Sequence, residues 1–281
     1  NRSENNNKNK KHNNKKRRHA MKTAINLIRI GAFLLFSQAV MATPQQLLTD
    51  LQHMRLAATN AITNFYMFSG LDADSKYERR IDVALGKFNA SLASARELAA
   101  VNSLGDDIAA IEAEWNSVSD LMTTNRNDML NQGFPNVRLV DEMGRTSAEV
   151  VDKISKAYDK LQQSSGIRPS PVVEKARDLA LLMEEITSQY AARGTTNLGQ
   201  VFMGSYERTL TDMADDFHQQ LQALEEMVRQ GQNDVLMNNV NSKWRFMEER
   251  IKNYNENTVP FLVVSYNDRI IEHLEELERR F

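Results

Sequence analysis

Residues 70–115 read GLDADSKYERRIDVALGKFNASLASARELAAVNSLGDDIAAIEAEW, and the chain writes this stretch twice. Adding 129 to Gly70, Tyr77, Glu78, Arg79, Phe88, Leu92, Glu97 and Trp115 gives Gly199, Tyr206, Glu207, Arg208, Phe217, Leu221, Glu226 and Trp244 without a gap. Met54 and Met183 keep the same offset, so the echo spans most of three successive segments and marks an internal duplication. The kept residues are mostly bulky ones, to which a close-packed core is most sensitive.

Each copy carries the period of helices. Leu47, Leu51, Met54, Ala58, Ile62 and Phe65 recur every three or four residues, which is one helix face. Gly70 is expected to turn the chain, and Asp74 to cap a second helix with Tyr77, Ile81, Ala84, Phe88, Leu92 and Ala95 inward. A third helix points Ile108, Ile111, Trp115, Val118 and Met122 inward until Gly133 and Pro135 break it, and a fourth follows over 137–161. Residues 164–171, SSGIRPSP, admit no continuous helix. The order then repeats over 173–190, 204–229, 234–254 and 260–280. Short connections make neighbours antiparallel. The expected fold is therefore all-α: tandem duplicated up-down-up-down four-helix bundles, with bundle 1 over 43–163, a Pro/Gly/Ser linker over 164–171 and bundle 2 over 172–281. Trp115 should lie level with Phe88 and Leu92, and Trp244 with Phe217 and Leu221, as an aromatic plug in each bundle.

The first 42 residues are of another kind. Residues 1–20 are rich in Asn, Lys and Arg with nothing apolar to bury, and read as a disordered basic leader upstream of a true start at Met21. Lys22 and Arg29, the apolar run 30–40 and Val40-Met41-Ala42 read as a cleavable secretory signal over 21–42, too short and too interrupted for a stable membrane span. These 42 residues hold ten of the 35 basic residues and one of the 37 acidic ones, leaving 25 basic against 36 acidic and a net charge of −11. Such a surface repels phosphate backbones, so nucleic acid is not an expected partner. The absence of cysteine excludes disulfides, thiolate metal sites and covalent c-type haem. The compartment expected is the periplasm of a Gram-negative bacterium.

Candidate site residues are few. Arg55 is the one charged residue whose helical-wheel angle falls among the apolar positions of the first helix, and Glu184 is its counterpart. Either its stem lies along the core edge with the head in water, or its guanidinium forms an anion site. Tyr77 and Tyr206 sit near the tips where the first helix of each bundle meets the second, with Tyr66 close to Tyr77. They either lock the tip through a hydroxyl partner or bind a ligand there. Asp50/His53 and Asp215/His218 have one-turn spacing, but both pairs fall on polar faces, and no metal is expected. There is no zincin pair, nucleophile elbow or phosphate-binding glycine loop. Asp72-Ala73-Asp74 starts like a calcium loop until Lys76 and the missing glycine end it. Met183 inward on the fifth helix and His273 beside the inner face of the eighth form a Met/His pair that resembles the haem ligation of small haem b four-helix-bundle cytochromes.

At the level of architecture the exported tandem of four-helix units resembles the periplasmic input domains of nitrate-sensing kinases and of type IV pilus chemoreceptors. The likeness lies in the bundle pattern, not in a shared motif. It implies that a basic residue on the first helix, by position Arg55, helps to bind an anionic ligand. The expected function is an exported, non-enzymatic binding or interaction module for a partner protein or small solute. The alternative is a haem b electron-transfer bundle using Met183 and His273, and an enzyme with an unfamiliar site is the third possibility. Specificity is expected where the halves differ, as at Arg55 against Glu184, rather than where they agree.

Overall fold

The computed structural model describes residues 44–195, 208–228, 234–254 and 258–281. The leader, the signal segment and Tyr206 lie outside these residues. All regular structure among the described residues is helical: α1 (44–70), α2 (Ser75–Ala99) with a short 3-10 turn (Ala100–Asn102), α3 (Gly105–Gln132), α4 (Val137–Ser165), α5 (Pro171–Thr195), α6 (Leu210–Val228), α7 (Val235–Lys252) and α8 (Pro260–Glu278). No helix among them is long and apolar enough to cross a membrane.

Helix ends follow local chemistry. The side chains of Asp74, Asn136 and Asp234 accept hydrogen bonds from the first free backbone N–H groups of α2, α4 and α7. Gly133 (φ 82°) and Gly166 (φ 69°) end α3 and α4 in the left-handed region and return their N–H groups to the carbonyls of Met129 and Gln162. The first turn departs from expectation. α1 continues through Gly70, and the reversal is made by Asp72 (φ 51°) and Ala73 (φ 61°), with the Ala73 N–H on the Phe68 carbonyl at 2.9 Å. An alanine in this region costs on the order of 1–2 kcal/mol, which the surrounding turn must hold in place.

Crossed pairs fix the helix directions. Asp50 meets Ser94 and Asn64 meets Arg80, so α1 and α2 are antiparallel. Arg96 with Glu112 and Arg126 with Asp82 do the same for α2 and α3, and Lys160 with Asp107 and Asn125 with Met143 for α3 and α4. In the second half, α5 packs on α6 and α8, and α7 joins those two. Two apolar clusters result, one centred on α1–α4 and one on α5–α8.

The halves share one compact unit, Gln45–Phe281. α1 and α5 lie side by side and parallel: Gln52 Nε2 donates to the Arg177 carbonyl at 3.2 Å, and Asn60 Nδ2 to Glu184 Oε1 at 3.0 Å. Leu56 of α1 belongs to the second cluster, and Ala191, Ala192 and Val264 belong to the first. Consecutive residues Met54 to Thr59 are all buried, so α1 is covered on both sides and not on one face only. Thr59 and Thr63 satisfy their hydroxyls on the carbonyls four residues back, leaving their methyls free to pack.

The aromatic plugs form in both halves, but not identically. Trp115 stacks on Phe88 at 3.7 Å and 17°, and its Nε1 donates to Asn89 Oδ1 at 3.0 Å. Trp244 tilts against Phe217 at 4.2 Å and 41°, and its Nε1 is buried without a partner. The 129-residue offset puts His218 where Asn89 stands, and His218 turns to Glu248 instead. An unmet buried donor costs roughly 1–3 kcal/mol. Trp115→Phe should therefore lower the urea midpoint more than Trp244→Phe, by the equivalent of about 1–2 kcal/mol. Equal losses would show that the indole N–H groups do not distinguish the two plugs.

Candidate functional site

Among the described residues, a groove of about 710 Å³ is walled by α1, α2 and α8, with Glu184 of α5 on its floor. A smaller groove of about 440 Å³ lies on the other side of the central pair, between α1, α4, α5 and α6. The duplication relates them: each is bordered by the first two helices of one half and the fourth helix of the other.

One end of the larger groove is closed by Arg80, whose guanidinium forks onto Asp268 at 2.7 and 2.8 Å and whose Nε reaches Asn64 Oδ1 at 2.6 Å. This bond ties α2 of the first half to α8 of the second. Its side chains are 28% and 35% exposed, so solvent screens the pair and its contribution is modest. Behind it lies Glu184, only 3% exposed. Asn60 donates to its Oε1, while Oε2 is buried and has no hydrogen-bond partner. The Asn267 amide faces this carboxyl but does not close a hydrogen bond, and both of its side-chain polar atoms are themselves buried and unpartnered. Burial, reinforced by the Asp268 charge, pushes Glu184 up to about 8, against the opposing pull of Asn267, Asn60 and Arg80.

A second polar cluster joins α1, α4, α5 and α8. Arg177, 4% exposed, donates to Glu278 and to the Tyr158 hydroxyl at 3.0 Å and Thr49 Oγ1 at 2.9 Å, while Tyr158 reaches Glu174 at 3.1 Å. Every guanidinium nitrogen of Arg177 is engaged, so this cluster is a structural clasp.

The expected site residues are scattered over these features. Arg55 does not lift its head into water. It is 7% exposed, lies 4.5 Å over the Tyr158 ring and bonds Gln52, with Ser155 at 3.5 Å. The reason is that α4 and α5 cover the edge over which the stem would have escaped. Its Nε has no partner, and burial lowers its pKa. Tyr66 lines the smaller groove with Glu185, Gln189 and Arg208. Tyr77 is buried near the turn, with Lys76 and Arg80 cations 5.2 and 5.9 Å from its ring. Met183 is fully buried in the second core, whereas His273 is half-buried on α8, where burial and the charges of Lys243 and Arg269 lower its pKa. Of the two one-turn pairs, His53 is exposed on the rim of the larger groove, but Asp50 is buried and bonded by Ser94 and Gln46 instead of lying in solvent.

Arg80, Asp268, Asn267 and Arg177 were not legible as site residues. Asn267 and Arg177 do carry a signal in the sequence, as polar residues at apolar angles between Val264 and Ile270 and between Ala176 and Ala180. Arg80 and Asp268 carry none, because they sit 188 positions apart and meet only through packing of the two halves.

The raised pKa of Glu184 sets the sign of a pH effect. Unfolded, the carboxyl ionises near 4.5; folded, it keeps its proton to about 8. The contribution is fully present below the first value and is lost as pH rises through the second, to a total on the order of 5 kcal/mol. Glu184→Gln should match the parent in urea unfolding near pH 4.5 and exceed it by several kcal/mol at pH 9. A pH-independent difference between the two would place the proton elsewhere.

The chain matches no protein-family model, and no curated protein or solved structure is significantly similar to it.

Proposed function

We propose that this chain is an exported, non-enzymatic binding module of the periplasm, and that the groove between α1, α2 and α8 takes a small solute. The observation that carries this reading is Glu184: a fully buried carboxyl on the floor of a groove, with one oxygen lacking any hydrogen-bond partner. Such a group is expensive to keep unless something satisfies it. Pockets with apolar walls and a few convergent polar groups are the usual sites of small ligands. Leu56, Ala57, Ala84 and Ile271 supply the buried apolar wall here. Export is supported by the n-region, apolar run and small residues of 21–42, and the non-enzymatic reading by the lack of a catalytic motif in the sequence.

The test is thermal unfolding of the purified chain against a panel of millimolar amines, polyols and organic acids, in parallel with Ala90→Trp. Ala90 is an exposed residue of the groove wall, so a tryptophan there fills the groove without entering the core. Members of the panel should raise the midpoint of the parent and not of the variant. No shift with any compound, or shifts that survive Ala90→Trp, would reject the groove as the site.

A further inference from the structure

The chemistry of the groove floor specifies more than a small solute. Two carboxyls, Glu184 and Asp268, face one guanidinium, and Arg80 is already committed, with its fork on Asp268 and its Nε on Asn64. Glu184 thus lacks a counter-cation of its own. Three buried atoms around it lack hydrogen-bond partners: Glu184 Oε2, Asn267 Oδ1 and Asn267 Nδ2. Two of the three are acceptors, so the complementary group is a cationic donor with several N–H bonds. An anion would meet two carboxyls at the floor, whereas a cation is the one partner that pairs with Glu184 in its ionised form. Away from the floor the wall becomes apolar through Leu56, Ala57, Ala84 and Ile271. From Asp268 to Arg279 the α8 wall runs about 16 Å at the helical rise, long enough for an extended alkyl chain.

We propose that this groove binds a primary alkylammonium, with its NH₃⁺ donating to Glu184 Oε2 beside the Asn267 amide and its methylene stem lying along Leu56, Ala57, Ala84 and Ile271. The assignment rests on the groove reading above. It makes binding depend on pH, because the cation requires ionised Glu184 and must displace the proton that the free protein keeps there. Affinity therefore rises with pH by up to about tenfold per unit until Glu184 is ionised in the free protein, and one proton is released per ligand. The other charged groups facing the groove are His53, Arg80 and Lys87 from α1 and α2, and Asp268, Glu272, Glu275 and Arg279 from the α8 side. Arg279 is already paired with Glu276.

The experiment is isothermal titration of the full chain with hexylamine, 1-hexanol and hexanoate at pH 6, 7 and 8, in two buffers of different ionisation enthalpy. Hexylamine is fully charged throughout this range. It should bind about tenfold more tightly at pH 7 than at pH 6, release close to one proton, and lose at least tenfold in affinity in Glu184→Gln. That variant replaces the carboxyl by an isosteric amide, and Asn267→Leu serves as the second variant and should weaken hexylamine at every pH. Binding of hexanol or hexanoate to the parent, abolished by Ala90→Trp, with hexylamine inert, would overturn the ammonium assignment and leave the groove reading standing. No binding by any probe would overturn both. Hexylamine binding that is insensitive to pH and to both variants would also overturn the assignment.

Discussion

The structure depends on one helix being buried from two sides. α1 supplies the inner face of the first four-helix set and at the same time lies against α5, so a run such as Met54 to Thr59 has no residue left for solvent. A bundle helix with a single apolar stripe could not do this, since its outer face would carry charges. Here the outer face is built from Leu56, Asn60 and threonines whose hydroxyls bond within the helix. That surface is polar by composition and close to apolar in practice.

The same constraint explains which features the sequence made readable. Helix periods, caps and the aromatic pairs Phe88/Trp115 and Phe217/Trp244 are local or repeated signals, and they appear where the spacing put them. The contact between halves is neither local nor repeated. Its carriers are single polar residues, Gln52, Asn60, Arg177 and Glu184, whose partners lie more than a hundred positions away. Arg55 shows the limit well. Its inward angle was legible, but its environment depended on α4 and α5 closing over it, and a buried guanidinium on Tyr158 took the place of an exposed one. The turn after α1 shows the opposite limit, because a glycine in sequence drew attention from Asp72 and Ala73, which bear the left-handed backbone.

Buried ionisable groups are concentrated along the central pair and absent from the two aromatic plugs. Arg55, Arg177 and Glu184 are each less than a tenth exposed, and each meets its surroundings differently: a ring, a full set of acceptors, and a partial set. Only the last leaves a group with unfilled bonding capacity beside an open groove. This difference, rather than burial alone, separates a scaffold charge from a candidate binding charge.

The parallel packing of α1 on α5 has a consequence for symmetry. Helices related by the duplication lie side by side and point the same way, as a two-fold axis running along them would place them, to within about one helical turn of the 129-residue register. Two identical bundles meeting on such an axis would have to present the same residue from both sides, so a cation on one side would face a cation on the other. Joining the copies through the short connection after Gly166 removes that restriction. Arginine can stand at position 55 and glutamate at its equivalent, 184, and the two grooves that symmetry would make identical can acquire different chemistry within one polypeptide.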